Sequence, residues 1–457
     1  MPVEALPAII VDPEMKAITK RIGTGSSSGL PRAPLRTLLA CALSAVGLLG
    51  VVPGFALGAA PQPSSSFIAG TLNSRAGAFS PETVTISRAD GEGELQSIAV
   101  QNPPGLLGVL SGVAICPGLR AERGSCPTGS RVGTVSVGLG PGFSPFYSEG
   151  GVYLTGPYEG APFGLAVSVP VLAGLFNLGH VIVRTTLNID PNTAALNISS
   201  DPLPQSLFGI PLEIRTIHID LDRQGFIFNP TSCRRSSIDA TVTSTTGTVA
   251  SERSPFQATG CAKLAFKPKL ALRLAGQTNR GGHPKLTTVL TMPEGGANLK
   301  RLALTLPPTE LIDSAHIKAP CTRPQFAAGQ CPPGSVIGFA RVVTPLLKKP
   351  IEGPVYLRSS TRRLPDLLVA LHGQLDLDLT GRIDPVHGGF RVDFSTLPDA
   401  PLTKFTLTLD SGRRGLLQNS VGLCAGTQHA NMRVAGQNGK TLVEHPVLST
   451  GCARKTP

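Results

Sequence analysis

The sequence predicts an all-β fold: two tandem β-sandwich repeats, Ig-like or jelly-roll-like, behind an N-terminal hydrophobic helix. Three observations carry this reading. Cysteine spacings recur along the chain, short alternating segments are cut at brief intervals by Gly, Pro, Asn and Asp, and one long uncharged run lies near the N-terminus.

The recurrence is the strongest signal. Eight of the nine cysteines form two sets, Cys116, Cys126, Cys233, Cys261 and Cys321, Cys331, Cys424, Cys452. In each set the first two are 10 apart and the last two 28 apart. The offset between sets is 205 for the first two cysteines and 191 for the last two, so a duplication with one internal deletion accounts for both. The text between them agrees. "CPTGSRVGTV" answers "CPPGSVIGFA", "GGVYLTG" (150–156) answers "GPVYLRS" (353–359), and "NIDPNTAALNI" (188–198) answers "RIDPVHGGFRV" (382–392). "SDPLPQSL" (200–207) is set against "TLPDAPLT" (396–403), and "NPPGLL" (102–107) against "LPPTEL" (306–311).

The segments between these landmarks read as strands. "RVGTVSVGL", "HVIVRTTLNI", "EIRTIHIDLD", "LLVALHGQLDLDLTG" and "KFTLTLDSG" show period-two alternation or buried apolar runs. No segment sustains a helical apolar stripe. Short helical turns are expected only in "PGLRAERGS" and "TRPQFAAGQ", inside the first cysteine pair of each set. A smaller strand-rich lobe is expected before each such pair.

Composition sets the class. Hydrophobic residues make up 41% and charged residues 15% of the 457-residue chain, against about 25% charged in ordinary soluble domains. Its 52 glycines and 42 prolines stay short of the roughly 25–30% that marks low-complexity chains. A folded, turn-rich protein of more than one domain follows. The expected divisions are a basic cytoplasmic leader (1–36), a signal peptide or transmembrane anchor (37–60), a first repeat (61–265) and a second repeat (266–457).

Residues 37–60, "TLLACALSAVGLLGVVPGFALGAA", carry no charge and are long enough for a bilayer, which needs about 20 apolar residues. Arginines flank only the N-terminal side, which leaves the N-terminus in the cytoplasm and sends the rest across. Pro53 and the glycines weaken a permanent helix, and the small residues before Pro61 suit a peptidase. Cleavage is therefore favoured over an anchor. Cys41 stands inside the apolar run rather than after it, so it is not a lipidation site.

Net charge is +12, and +10 remains when the five basic and three acidic residues before Pro61 are set aside. The basic residues come as scattered pairs, tryptophan is absent and aromatics are 5%. No nucleic-acid partner is expected, because such binders cluster basic or stacking residues.

An even number of cysteines in an exported chain reads as disulfides. Pairing by adjacency keeps each bond within one repeat, although four cysteines allow three connectivities. The C-x9-C spacing suits no zinc site. Two clusters, His218, Asp220 and Asp222 in "TIHIDLDR" and His372, Gln374, Asp376 and Asp378 in "LHGQLDLDL", offer metal-ligand types. They do not align between repeats and read as the wet faces of half-buried strands. No catalytic residues, metal or cofactor are expected. The scarce aromatics gather in a loop, Phe143, Phe146, Tyr147, Tyr153, Tyr158 and Phe163, which is the candidate binding surface.

The motifs "GSCPTGSRVGTV", "GGVYLTGPYEGAPFGL" and "DPLPQSLFGIPLEIR" resemble those of exported tandem β-repeat proteins of high-G+C actinobacteria. The resemblance spans most of Gly70 to Cys452 and implies export and tandem β units, but no activity. In the second copy "GPVYLRSSTRRLPDLL" replaces the aromatic "GPYEGAPFG" text. The function expected is a non-enzymatic secreted or cell-surface structural or adhesion protein. Its expected partner is a cell-envelope polymer or surface protein, with membrane contact only through 37–60. The alternatives are an envelope glycan- or protein-binding module and an exported hydrolase. A hydrolase would show a deep pocket with a perturbed histidine or carboxylate, where His180, His218 and His372 are the histidines to inspect.

Overall fold

A computed structural model describes residues 66–452, except 143, 174, 175 and 387. The expected N-terminal helix lies outside the described residues. Among the described residues no helix is long and apolar enough to cross a membrane.

Each repeat is one curled sheet. In the first, neighbours run Ser66–Thr71, Glu82–Ser87, Ile214–Leu221, Arg131–Leu139, Phe146–Thr155, Phe163–Ala173, Phe176–Ile189, Leu196–Ser200, Leu95–Gln101, Ser236–Ser244 and Val249–Phe256. In the second they run Lys269–Ala275, Lys285–Thr291, Lys404–Leu409, Val336–Val343, Ile351–Arg358, Asp366–Leu371, Leu377–Val386, Gly389–Phe394, Leu299–Thr305, Asn431–Gly436 and Thr441–Glu444. These are the same eleven places in the same order. The second sheet adds Gln428–His429 and Val447–Ser449 beside Lys269–Ala275. A two-stranded ribbon recurs as well, Leu107–Gly108 with Ile227–Phe228 and Glu310–Ile312 with Leu417–Asn419. Duplication is thus written in topology as well as in cysteines.

Alternation explains the curl. Glu82–Ser87 turns every second residue inward, and Val84, Ile86, Val135, Val137, Leu165, Val169 and Ile217 meet in the first core. The second core gathers Leu272, Leu286, Ile337, Val355, Leu371 and Leu409. Burying such faces stabilises each sheet at about 25 cal/mol per Å² of apolar surface. In the first repeat the edge strands meet: Ser254 Oγ donates to the Ala69 carbonyl (2.7 Å) and accepts from its amide (3.0 Å). That contact covers an edge open to aggregation.

The repeated CPxGS text has a local cause. The Cys116 and Cys321 amides each donate to a strand carbonyl, Leu154 and Leu357, at 2.8 Å. Ser130 and Ser335, both buried, donate to Pro127 and Pro332 at 2.7 and 2.6 Å and close one 3-10 turn each. The next strand then crosses its neighbour closely. A Cβ on Gly133 would lie 2.2 Å from the Asp220 carbonyl oxygen, and one on Gly338 2.1 Å from that of Thr408. Only glycine fits there, at the same place in both copies. Short helices Gly118–Glu122 and Arg323–Ala327 occupy the cysteine loops, as expected.

Four disulfides join Cys116–Cys126, Cys233–Cys261, Cys321–Cys331 and Cys424–Cys452, each within one repeat. Four such bonds indicate an extracytoplasmic protein.

Three expectations need correction. The strands before each first cysteine pair form no separate lobe; they are integral to the two large sheets, because Leu95–Gln101 pairs with two later strands. The text "LLVALHGQLDLDLTG" is not one strand, since Asp366–Leu371 ends before His372 and Leu377–Val386 begins after Asp376. The alignment of "SDPLPQSL" slips by two. The Leu203 amide donates to Gln96 and the Leu397 amide to Lys300, and these acceptors hold equivalent strand places, so Leu203 answers Leu397.

Candidate functional site

Both repeats belong to one compact unit, Ala60–Pro457, and the contact between them is specific. Leu110 and Ser111 amides donate to the Leu346 carbonyl at 2.8 and 3.0 Å, and the Asp378 amide to the Pro191 carbonyl at 3.0 Å. Asp399 forms a buried polar knot. It accepts from the Thr231 amide (2.9 Å), the Thr231 hydroxyl (2.7 Å), the Ser232 amide (2.9 Å) and Asn298 Nδ2 (2.8 Å). Burial pushes its carboxyl upward, and the bonds from Thr231, Asn298 and Ser232 oppose that rise.

Beside this knot lies an apolar cavity of about 190 Å³. The first repeat contributes Leu165, Leu187 and Ile198, and the second Leu302, Leu377 and Phe405, among others. It is larger than the apolar cavity of about 150 Å³ that admits benzene. A second apolar space of about 130 Å³ lies within the first sheet, lined by Val84, Val135, Val169, Val183 and Ile217.

The polar side chains of the larger cavity are Glu82, Asn102 and Thr344. Glu82 and Asn102 are each 2% exposed, and Asn102 Nδ2 donates to Glu82 Oε2 at 3.3 Å. Burial raises the Glu82 carboxyl from 4.5 to about 7, against a lowering by the Asn102 bond. Asn102 Oδ1 is buried without a partner. Turning the amide over leaves its nitrogen orphaned instead, so one polar atom of Asn102 is unpaired in either orientation. Duplication shows what is unusual here. Glu82 pairs across to Leu221, and at the same place in the second sheet Leu286 pairs with Leu409. By the shared offset Asn102 answers Leu306, so the polar pair belongs to one repeat only.

The sequence-predicted residues scatter. Phe163 is buried. The Tyr158 hydroxyl donates to Asp201 at 2.6 Å, and Arg184 lies 4.1 Å over its ring. That bond to Asp201 pushes the Tyr158 hydroxyl up to about 12. Tyr153 is half-buried, Phe146 and Tyr147 are exposed, and Phe143 lies outside the described residues. The segment is no loop. Phe146–Thr155 is a strand, whose ends stand about 30 Å apart at 3.4 Å per residue. The aromatics therefore form no single surface.

The histidine clusters are held by their own neighbours. His218 bonds Thr85 (2.7 Å) and Asp220 (3.0 Å), and Asp222 lies beyond the strand. His372 bonds Asp376 at 3.0 Å in an exposed turn, while Gln374 accepts from the Lys349 amide. His180 sits 3.3 Å from the Ser168 hydroxyl. None of the three lines the cavity. Sequence reasoning passed over Glu82 and Asn102. Their one signal was an acid and an amide standing where the second copy has leucine.

No protein-family model matches the chain, and no curated protein matches it in sequence. Among solved structures it is similar to the type II cohesin dyad from the adaptor ScaA scaffoldin of Acetivibrio cellulolyticus, at 8% identity and a TM-score of 0.17, over 82% of this chain and 94% of that one. A likeness that faint carries no argument, and the fold rests on the topology above.

Proposed function

We propose that this is a non-enzymatic, extracytoplasmic binding protein whose two repeats together shelter an apolar chain carrying one hydrogen-bonding head. The duplicated β units with four disulfides fit an exported structural or adhesion-type module. The cavity makes the reading narrower. The observation that carries it is an apolar chamber that both repeats line, whose polar side chains are Glu82, Asn102 and Thr344. A hydroxyl, amide or protonated carboxyl would pair with that polar group of side chains, while the chain would fill space whose walls otherwise lack contacts. Among the described residues no His, Cys, Ser, Lys or Arg lines the cavity, whose one acid is Glu82 and whose one hydroxyl is Thr344. The raised Glu82 carboxyl is the feature an exported hydrolase would show, so hydrolysis stands as the second reading, tested by product release from a long-chain ester.

Fluorescence titration with cis-parinaric acid, an unbranched polyene acid, tests this. The full chain is expected to bind it with enhanced emission. Ala400→Leu, which builds into the cavity, should weaken binding at least about 10-fold while keeping the protein folded. Absence of binding by the wild type, or undiminished binding by a folded Ala400→Leu variant, would refute the proposal.

A further inference from the structure

The second repeat carries a side-chain cluster that the binding chamber does not use. His283 follows strand Lys269–Ala275 in a loop whose shape is set by the His283 amide donating to Gln277 Oε1 at 2.8 Å. Asp313 caps the single 3-10 turn Ser314–His316, which His316 ends. His283 Nε2 lies 2.9 Å and His316 Nε2 3.8 Å from Asp313 Oδ2. The two rings stack with centroids 4.5 Å apart, and all three candidate ligand atoms fall within 4.8 Å of one another. The side chains are 16%, 16% and 23% exposed, for His283, Asp313 and His316.

Hydrogen bonding fixes which atoms are free. Asp313 Oδ1 accepts from the Ala315 amide at 2.9 Å, which leaves Oδ2 to the imidazoles. His316 Nδ1 lies 2.6 Å from the Gly415 carbonyl oxygen, which can only accept, so Nδ1 carries the proton. Nε2 of neutral His316 then turns a lone pair toward a carboxylate oxygen, acceptor against acceptor. The support behind this contact is tight. The Gly412 amide donates to the His283 carbonyl, and a Cβ on Gly415 would stand 2.8 Å from His283 Cβ. An imidazole that gives its far N–H to a backbone carbonyl is the arrangement metal-ligating histidines use.

We propose that His283, Asp313 and His316 bind one divalent transition-metal ion of the Zn²⁺ type. Zn–N and Zn–O bonds of about 2.0–2.1 Å in a tetrahedron set ligand atoms about 3.3 Å apart, and the separations of 2.9 and 3.8 Å straddle that value. On binding, the Nε2 proton of neutral His283 passes through solvent to its Nδ1, so the ring stays neutral and the Nε2 lone pairs of both histidines become ligands. Water takes the fourth position. Imidazole with one carboxylate suits zinc and its neighbours rather than calcium or magnesium. By the shared offset the first repeat has Phe79, Val109 and Gly112 at these places, so one ion per chain is expected rather than two.

The test uses the full chain without an affinity tag. Titration with Zn²⁺ against a chromogenic chelator should give one equivalent. His283→Gln, Asp313→Asn and His316→Gln should each weaken binding at least about 10-fold, while His218→Gln leaves it unchanged. Co²⁺ added to the wild type should give tetrahedral d–d absorption that saturates at one equivalent. Wild-type protein that gives no such absorption overturns the proposal without recourse to any variant. Equal zinc affinity in a folded His316→Gln variant overturns it as well, because Asp313 and the histidines would then be only a structural pin.

Discussion

Replacing Glu82 by leucine, the residue its counterpart position 286 carries, should stabilise the protein above pH 7 and flatten its pH dependence. Burial raises the Glu82 carboxyl from 4.5 to about 7. Below pH 4.5 it is protonated in folded and unfolded chains and contributes nothing to the pH dependence. Between 4.5 and 7 the folded chain keeps a proton that the unfolded chain has lost, so stability falls as pH rises. Above 7 the carboxyl is ionised in both states and the loss is complete, at about 3 kcal/mol from about 1.36 kcal/mol per pH unit. Glu310 behaves alike: it is fully buried, neither carboxylate oxygen has a partner, and burial raises it to about 7. By the shared offset it stands where the first repeat has Leu106. Together the two acids make stability fall by up to about 2.7 kcal/mol per pH unit inside that window. Urea unfolding with disulfides intact, at pH 4.5, 6 and 8, measures this. The gain from Glu82→Leu at pH 8 should exceed its gain at pH 4.5 by about 3 kcal/mol. A difference below about 1 kcal/mol would mean that Glu82 is not desolvated as its burial implies, and the reasoning would fail.

Four further outcomes are expected. Asp399→Ala strands two buried amides, a hydroxyl and the Asn298 side chain between the repeats. It should cost about 3–5 kcal/mol in urea unfolding, and a cost below about 1 kcal/mol would show that the knot contributes little. Gly338→Ala drives a methyl into the Thr408 carbonyl, whereas Gly156→Ala meets nothing closer than 3.6 Å. The first should lower the melting temperature sharply and the second hardly at all, and equal effects would discard the close-approach argument. Serine at both Cys233 and Cys261 opens a 28-residue loop and serine at both Cys116 and Cys126 a 10-residue one. Chain entropy puts the losses at about 3.6 and 2.7 kcal/mol, and reversed order in calorimetry would contradict it. Phe163→Ala should cost about 3–5 kcal/mol while Phe146→Ser and Tyr147→Ser stay within about 0.5 kcal/mol. If those two exposed residues grip an envelope polymer, their loss should release the protein from cell-wall pulldowns without lowering its melting temperature.

Much of the scaffold was already determined by the sequence. Cysteine spacing marked the duplication, and alternation marked the strands, because both signals lie within a few residues of the atoms they govern. The CPxGS turns, the short helices and Gly133 with Gly338 are of this kind, each answered at a fixed offset. The slip at Leu203 and Leu397 shows where local text ends, since only the cross-strand bonds to Gln96 and Lys300 set that register. The same holds for the breaks hidden in "LLVALHGQLDLDLTG" and for the aromatics, which run along a strand rather than around a loop. Glu82 and Asn102 stand 20 residues apart and meet only because separate strands curl around one chamber. His283 reaches Asp313 across 30 residues, and His316 finds the Gly415 carbonyl across 99. Tertiary structure alone decided these sites. Periodicity reports which face a side chain takes, whereas a functional cluster depends on which distant faces the curled sheet brings together.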